Sequence, residues 1–288
     1  MVPWLLSTMC VMGAQLFYVN EPVVDMREEA TENAKVVSQA LFAEKVEIGQ
    51  EIDGWYSITT PDGYSGWIPS KALIALPEPY MPNAVTNRLI SYVYGVKDTE
   101  YGPIKTLPYG SPLFAREAES PRWVQVTLPD GVEGYIQRGD IASISSLPDK
   151  QAMVDFSVNF LGLPYRWGGR SSFGYDCSGF VQMLYRRMGV QLQRDSKQQI
   201  LDDRFQTIPI EDLEPGDLIF FGRSAEKINH VGMYVGDFLG KQHFIHATVR
   251  ENQPWIRVSR LTDPEWSGQS DSSCPYRVAR RWVGYIPK

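Results

Sequence analysis

Three cysteines and three histidines in 288 residues restrict nucleophilic chemistry to a few places. One of them is built for it. In Asp176-Cys177-Ser178-Gly179-Phe180 a turn rich in glycine and aromatics gives way to apolar residues at Phe180, Val181, Leu184, Tyr185 and Met188, with Gly189 as the stop. Recurrence at three and four predicts a helix, and Asp176 fits its N-cap. Cys177 then lies on the first turn, where unpaired N–H groups and the positive end of the helix dipole favour a thiolate. The chemistry this predicts is nucleophilic attack; the alternative is a buried structural thiol, the commoner state of a free cysteine.

A thiol nucleophile needs a base, and His230, His243 and His246 all follow it in the chain. His230 opens a period-two run in which Val231, Met233 and Val235 share one face while His230, Gly232 and Tyr234 share the other. Phe244, His246 and Thr248 alternate in the same way with Ile245 and Ala247. If the two runs pair as a hairpin, His246 lies beside His230. Cysteine first and histidine later is an order that a papain-like site permits.

Six ordered motifs join these residues: Pro-Tyr-Arg-Trp-Gly-Gly at 164–169, Asp-Cys-Ser-Gly-Phe at 176–180, Arg-Asp-Ser at 194–196, Pro-Gly-Asp-Leu at 215–218, His-Val-Gly-Met-Tyr-Val-Gly at 230–236 and Phe-Ile-His-Ala at 244–247. Over about 149–286 the chain resembles the NlpC-type cysteine peptidases of bacterial cell walls. The resemblance implies Cys177 as nucleophile, His230 as base and later acid, His246 as the member that orients His230, and Tyr165 as an oxyanion donor. It implies that Asp195 and Ser196 receive the free amino end of a peptide, and that Trp167 and Ser178, within the same motifs, touch substrate. Read from sequence alone, Asp195-Ser196 is equally a plain N-cap for a helix beginning Lys197-Gln198-Gln199-Ile200. The stretch from Asp237 to Gln242 is longer than the family pattern and leaves His243 as the competitor of His246.

The elements that must position these groups fall into three domains. Trp55-Tyr-Ser-Ile-Thr-Thr-Pro-Asp-Gly-Tyr-Ser-Gly-Trp67-Ile68 recurs as Trp123-Val-Gln-Val-Thr-Leu-Pro-Asp-Gly-Val-Glu-Gly-Tyr135-Ile136 at an offset of 68. Each copy predicts a strand, a Pro-Asp-Gly turn and a returning strand. The copies, with Val24-Asp25-Met26-Arg27 ahead of the first, resemble bacterial SH3-type domains. The expected layout is barrel 1 over 15–76, a linker over 77–85 marked by its prolines, barrel 2 over 86–147 and a catalytic domain over 148–288. In that domain a helix from about Ala152 to Gly162 and the nucleophile helix precede strands at 217–221, 230–236, 244–248, 255–261 and 276–286. The fold class expected is an α+β papain-like domain behind two small all-β SH3-like barrels.

Composition excludes more than it assigns. At 43% hydrophobic and with a net charge of -6, the chain is globular and carries no basic block suited to nucleic acid or an anionic membrane. Cysteines at 10, 177 and 274 are too few for a disulfide framework, and their spacing to histidine predicts neither a metal site nor a cofactor. Residues 1–14 are apolar and uncharged, which suggests a signal peptide, although no Lys or Arg precedes Arg27. The segment is too short to span a bilayer.

The resemblance implies a peptidoglycan-derived peptide as partner and hydrolysis of the γ-D-glutamyl–diamino acid amide as reaction, with preference for a free N-terminal L-Ala. An acyltransferase using the same thioester, and a non-catalytic wall binder, are the alternatives. The expected location is the bacterial envelope, with cytoplasmic recycling of wall peptides as the alternative. Resemblance to family members with this layout implies that barrel 1 closes the cleft, with Tyr64 on its Pro-Asp-Gly-Tyr hairpin as the candidate, against the plain reading of an exposed turn tyrosine.

Overall fold

The structure, a computed structural model, describes residues 15–116, 120–269 and 274–284. The apolar segment 1–14, read as a signal peptide, lies outside the described residues, as does Cys10.

Two seven-stranded antiparallel sheets come first. The strand order across the first is Val36–Leu41, Val23–Arg27, Ser65–Pro69, Trp55–Thr59, Lys45–Ile52, Leu16–Val19, Leu73–Leu76. The second repeats it strand for strand: Pro103–Pro108, Ile90–Tyr94, Glu133–Gln137, Trp123–Thr127, Pro112–Arg116, Ala84–Thr86, Ile141–Ser143. Alternation puts Ile58 and Ile68 into the first core and their counterparts Val126 and Ile136 into the second. Each Pro-Asp-Gly turn needs its glycine, because Gly63 at φ 77° and Gly131 at φ 80° occupy the left-handed region. The linker is shorter than its prolines predict: Ala84–Thr86 already pairs with Pro112–Arg116 and Ile141–Ser143.

Behind them lies a six-stranded antiparallel sheet in the order Phe205–Ile208, Tyr276–Trp282, Leu218–Gly222, Ile228–Phe238, Lys241–Thr248, Trp255–Arg260. Period two divides its residues between faces. Leu218, Phe220, Val231, Met233, Ile245 and Ala247 pack with Phe180, Val181 and Leu184 of the helix Cys177–Arg187. Ile219, Phe221, Tyr234 and Phe244 form a second core with Leu261, Trp266 and Cys274.

Two expectations change. The first helix of this region spans only Lys150–Ser157, capped by Asp149, and tightens into a 3-10 turn at Val158–Phe160 before Gly162. The long stretch around Asp237–Gln242 is a hairpin extension: the strands continue to Phe238 and from Lys241, joined by Leu239 at φ 51° and Gly240 at φ 70°. Two successive positive φ values match the twist of the flanking strands.

The first barrel is bolted to the catalytic region by buried charge. Arg170, 2% exposed, reaches Glu44 at 3.2 Å and Asp62 at 3.4 Å, both on the barrel. Its main-chain N–H donates to Gln39 Oε1, and Gln182 of the nucleophile helix donates to Asp62 at 2.9 Å. The second barrel touches from another side: Arg187 donates to the Tyr109 hydroxyl at 2.8 Å, and the Tyr109 ring stacks on Phe156.

Candidate active site

Cys177 is positioned by one carboxylate. Asp176 caps the helix by accepting from the Gly179 N–H at 2.8 Å, and it holds the preceding turn by accepting from the Gly168 N–H at 3.0 Å. Arg194, 1% exposed, closes on both oxygens of the same carboxylate at 2.5 and 3.0 Å. The glycines of the two motifs exist for this contact. A Cβ at Gly179 would lie 2.1 Å from the Gly169 carbonyl oxygen, and one at Gly169 would lie 2.2 Å from that of Gly174.

Cys177 therefore sits on the first helical turn, as the sequence predicts, but not as a ready thiolate. Only 8% of it is exposed, and burial, aided by the Asp176 charge, pushes the thiol up to about 12. The Val231 N–H, Arg194 and the Ser178 N–H act in the opposite direction without overcoming desolvation.

Behind the thiol the histidines form a relay. The Nε2 of His230 lies 2.7 Å from Nδ1 of His246, and Nε2 of His246 lies 2.9 Å from the Ser259 hydroxyl oxygen. With Nε2 of His230 engaged by His246, Nδ1 is the ring nitrogen of His230 outside that contact. The Val231 amide that meets Cys177 belongs to the next residue in the chain. Trp266 packs against both rings, with centroids 4.8 Å from His230 and 4.9 Å from His246. Burial, then the charges of Arg250 and Arg257, pull His230 down to about 3; burial lowers His246 strongly as well, with His230 the next cause. Thiol and imidazole are thus both neutral at rest. His243 is not part of the relay: it pairs with Gly236 and lies near Phe238, on the hairpin extension.

In front of the thiol is a cleft of about 400 Å³. Its walls bring together Tyr165, Trp167, Cys177, Ser178, Asp195 and Ser196 from the catalytic region with Tyr64 from the first barrel. Of the nine site residues expected from sequence, only His230 and His246 are absent from the lining, both being buried. Tyr165 is held by its main-chain N–H to the Pro254 carbonyl at 2.7 Å, and burial and the nearby Cys177 raise its phenol, so the hydroxyl keeps its proton as a donor. Tyr64 lines the same cavity as Asp195, and burial first, then the Asp195 charge, raise its phenol. Asp195 is the N-cap of the short helix Ser196–Gln199, with Gln198 completing a capping box, as the plain reading of this residue expects, and it also lines the cleft.

Sequence reasoning missed four groups that matter here. Arg194 stood within a quoted motif and was left without a role; its pairing with Asp176 needed the fold. Val37, a barrel residue in the cleft wall, carries no local signal. Ser259 and Trp266 are ordinary in sequence and become significant only beside the histidines.

Comparison with known proteins matches two parts of the chain to family models. The NlpC/P60 family model matches residues 162–272, and a bacterial dipeptidyl-peptidase Sh3 domain model matches residues 26–73. The chain is similar to the gamma-D-glutamyl-L-lysine dipeptidyl-peptidase of Bacillus cereus, 31% identical over 270 residues covering 86% of this chain and 76% of that protein. It is similar at 31% identity to the protein of the same name from Bacillus subtilis, with 70% of each covered. The crystal structure of an NlpC/P60 family protein from Bacillus cereus shares the fold over 93% of this chain and 100% of that one, with a TM-score of 0.76 at 22% identity.

Proposed function

Because the chain belongs to the NlpC/P60 family and is accordingly a cysteine peptidase, we propose that it hydrolyses the amide between γ-D-glutamate and a diamino acid in peptidoglycan stem peptides whose amino end is free. The observation that carries this reading is the cleft itself, where Cys177 shares one cavity with Asp195, Ser196 and Tyr64. An ammonium between Asp195 and the Tyr64 hydroxyl is charge-paired, and the barrel wall limits the peptide beyond it to a short stub. The relatives named for γ-D-glutamyl-L-lysine dipeptidyl-peptidase activity support the choice of bond. We read the second seven-stranded sheet as a second SH3-type module, on the strength of its identical strand order.

In the reaction the Cys177 sulfur attacks the carbonyl carbon as its proton passes to Nδ1 of His230, an in-step transfer that a neutral resting pair requires. The Tyr165 hydroxyl and the Cys177 N–H stabilise the oxyanion, each worth about 10²–10³ in rate. His230 returns the proton to the leaving amine, and water, activated by the same imidazole, releases the thioester.

The test is a defined tripeptide of L-Ala, γ-D-Glu and a diamino acid, presented with a free or an acetylated amino end, with products identified by mass. We expect release of the intact dipeptide from the free form, and recognition of the acetylated form weaker by about 2–5 kcal/mol, the range for breaking a buried charge pair. Equal cleavage of the two would remove the amino-end assignment, and transfer to an added amine in preference to water would make the protein an acyltransferase.

A further inference from the structure

We infer that Ser259 is a positioning residue that sets the proton order of the histidine relay, and with it which nitrogen of His230 takes the thiol proton. The inference rests on the Cys-His reading above. Ser259 is 3% exposed on the strand Trp255–Arg260, and its hydroxyl oxygen meets Nε2 of His246, itself 0% exposed, at 2.9 Å.

Two proton orders fit the distances. In one, the serine hydroxyl donates to His246 Nε2 and His246 Nδ1–H donates to His230 Nε2, so a neutral His230 carries its proton on Nδ1. That nitrogen then has no lone pair for the thiol. In the other, His230 Nε2–H donates to His246 Nδ1, and His246 Nε2–H donates to Ser259 Oγ, leaving Nδ1 of His230 open as a base. Turnover itself chooses between them. Once His230 has accepted the proton from sulfur, both its nitrogens carry hydrogen, so Nε2 must donate, His246 Nδ1 must accept, and the proton of neutral His246 must stand on Nε2. In a site this dry that N–H needs an acceptor, and the acceptor is the serine oxygen. No proton moves along the relay; the hydroxyl acts by making one tautomer the lower one, before and during attack.

Only three histidines exist in the chain, so imidazole nitrogen NMR resolves them individually. In the wild-type protein near pH 7 we expect His246 protonated on Nε2; protonation on Nδ1 would overturn the inference without reference to turnover. In Ser259→Ala we expect His246 to shift towards the Nδ1–H form and kcat to fall roughly 10- to 100-fold with KM little changed, the size of an unpaired buried donor. Ser259→Thr, which keeps the hydroxyl, should restore most of both. Full kcat in Ser259→Ala beside an inactive Cys177→Ala would sink the role of Ser259 and leave the peptidase chemistry standing. Turnover surviving in Cys177→Ala would instead fault that chemistry, and the wild-type tautomer would still decide on Ser259.

Discussion

Cys177 and His230 are each driven towards their neutral forms by burial, and that makes their pH behaviour a sharp test. With the thiol raised to about 12, alkylation of Cys177 should accelerate by about tenfold per pH unit from pH 7 to 9, because only the thiolate reacts. A rate that is flat over this range, followed by mass mapping of the labelled cysteine, would show a standing thiolate–imidazolium pair. Burial also ties stability to the histidines. Their folded-state values lie below the ordinary 6.5, with His230 at about 3, so below pH 6.5 the unfolded chain binds more protons than the folded one. The stabilisation is complete above pH 6.5 and declines as pH falls towards 3. From pH 7 to 5 we expect urea unfolding to show a loss of order 2 kcal/mol from His230, with His246 acting in the same direction. Cys177→Ala, which removes one small group, should abolish turnover while leaving the urea midpoint nearly unchanged.

The nucleophile helix depends on contacts made before it begins. Asp176 serves its cap, the Gly168 turn and Arg194 at once, so Arg194→Ala leaves a buried carboxylate without its counter-charge. We expect this to cost about 3–5 kcal/mol in chemical unfolding. Gly179→Ala should cost about 1–3 kcal/mol and lower kcat as well, since its methyl would drive the helix start away from the Gly169 carbonyl. Activity unchanged in Gly179→Ala would mean that the thiol does not depend on this packing. The short helix Ser196–Gln199 follows the same economy, with one residue both capping the element and facing the cleft.

Across the molecule, the first barrel is part of the active cleft and not a tethered accessory. Tyr64 and Val37 form one wall of it, while Arg170, Glu44, Asp62 and Gln182 hold that wall against the nucleophile helix. If the proposed amino-end site holds, Tyr64→Ala should raise KM for the free tripeptide and leave Cys177 alkylation unaltered, because Tyr64 lines the cavity on the barrel side. An unchanged KM would reduce Tyr64 to an exposed turn residue. Arg170→Ala should act differently, destabilising by about 3–5 kcal/mol because it leaves the buried Asp62 carboxylate without its counter-charge, while Glu44 keeps Arg186.

The role of Cys177 came from the family resemblance, whereas local pattern alone pointed to the helix that carries it, the hairpin that sets His246 beside His230, and the 68-residue repeat. Each of these patterns follows from periodicity or a turn signal within a short window, which is where sequence is most direct. The linker's end and the hairpin at 237–242 were misjudged for the same reason, since proline content and loop length do not reveal strand pairing with distant partners. Tertiary structure decided what depends on burial and on meetings between remote residues: the neutral state of the thiol, the Asp176–Arg194 clasp, the barrel wall at Tyr64 and the contact of His246 with Ser259. A helix start favours a thiolate in water-accessible surroundings, but desolvation by the surrounding sheet and barrel opposes it here, and no spacing in the chain encodes how much water a folded cleft excludes.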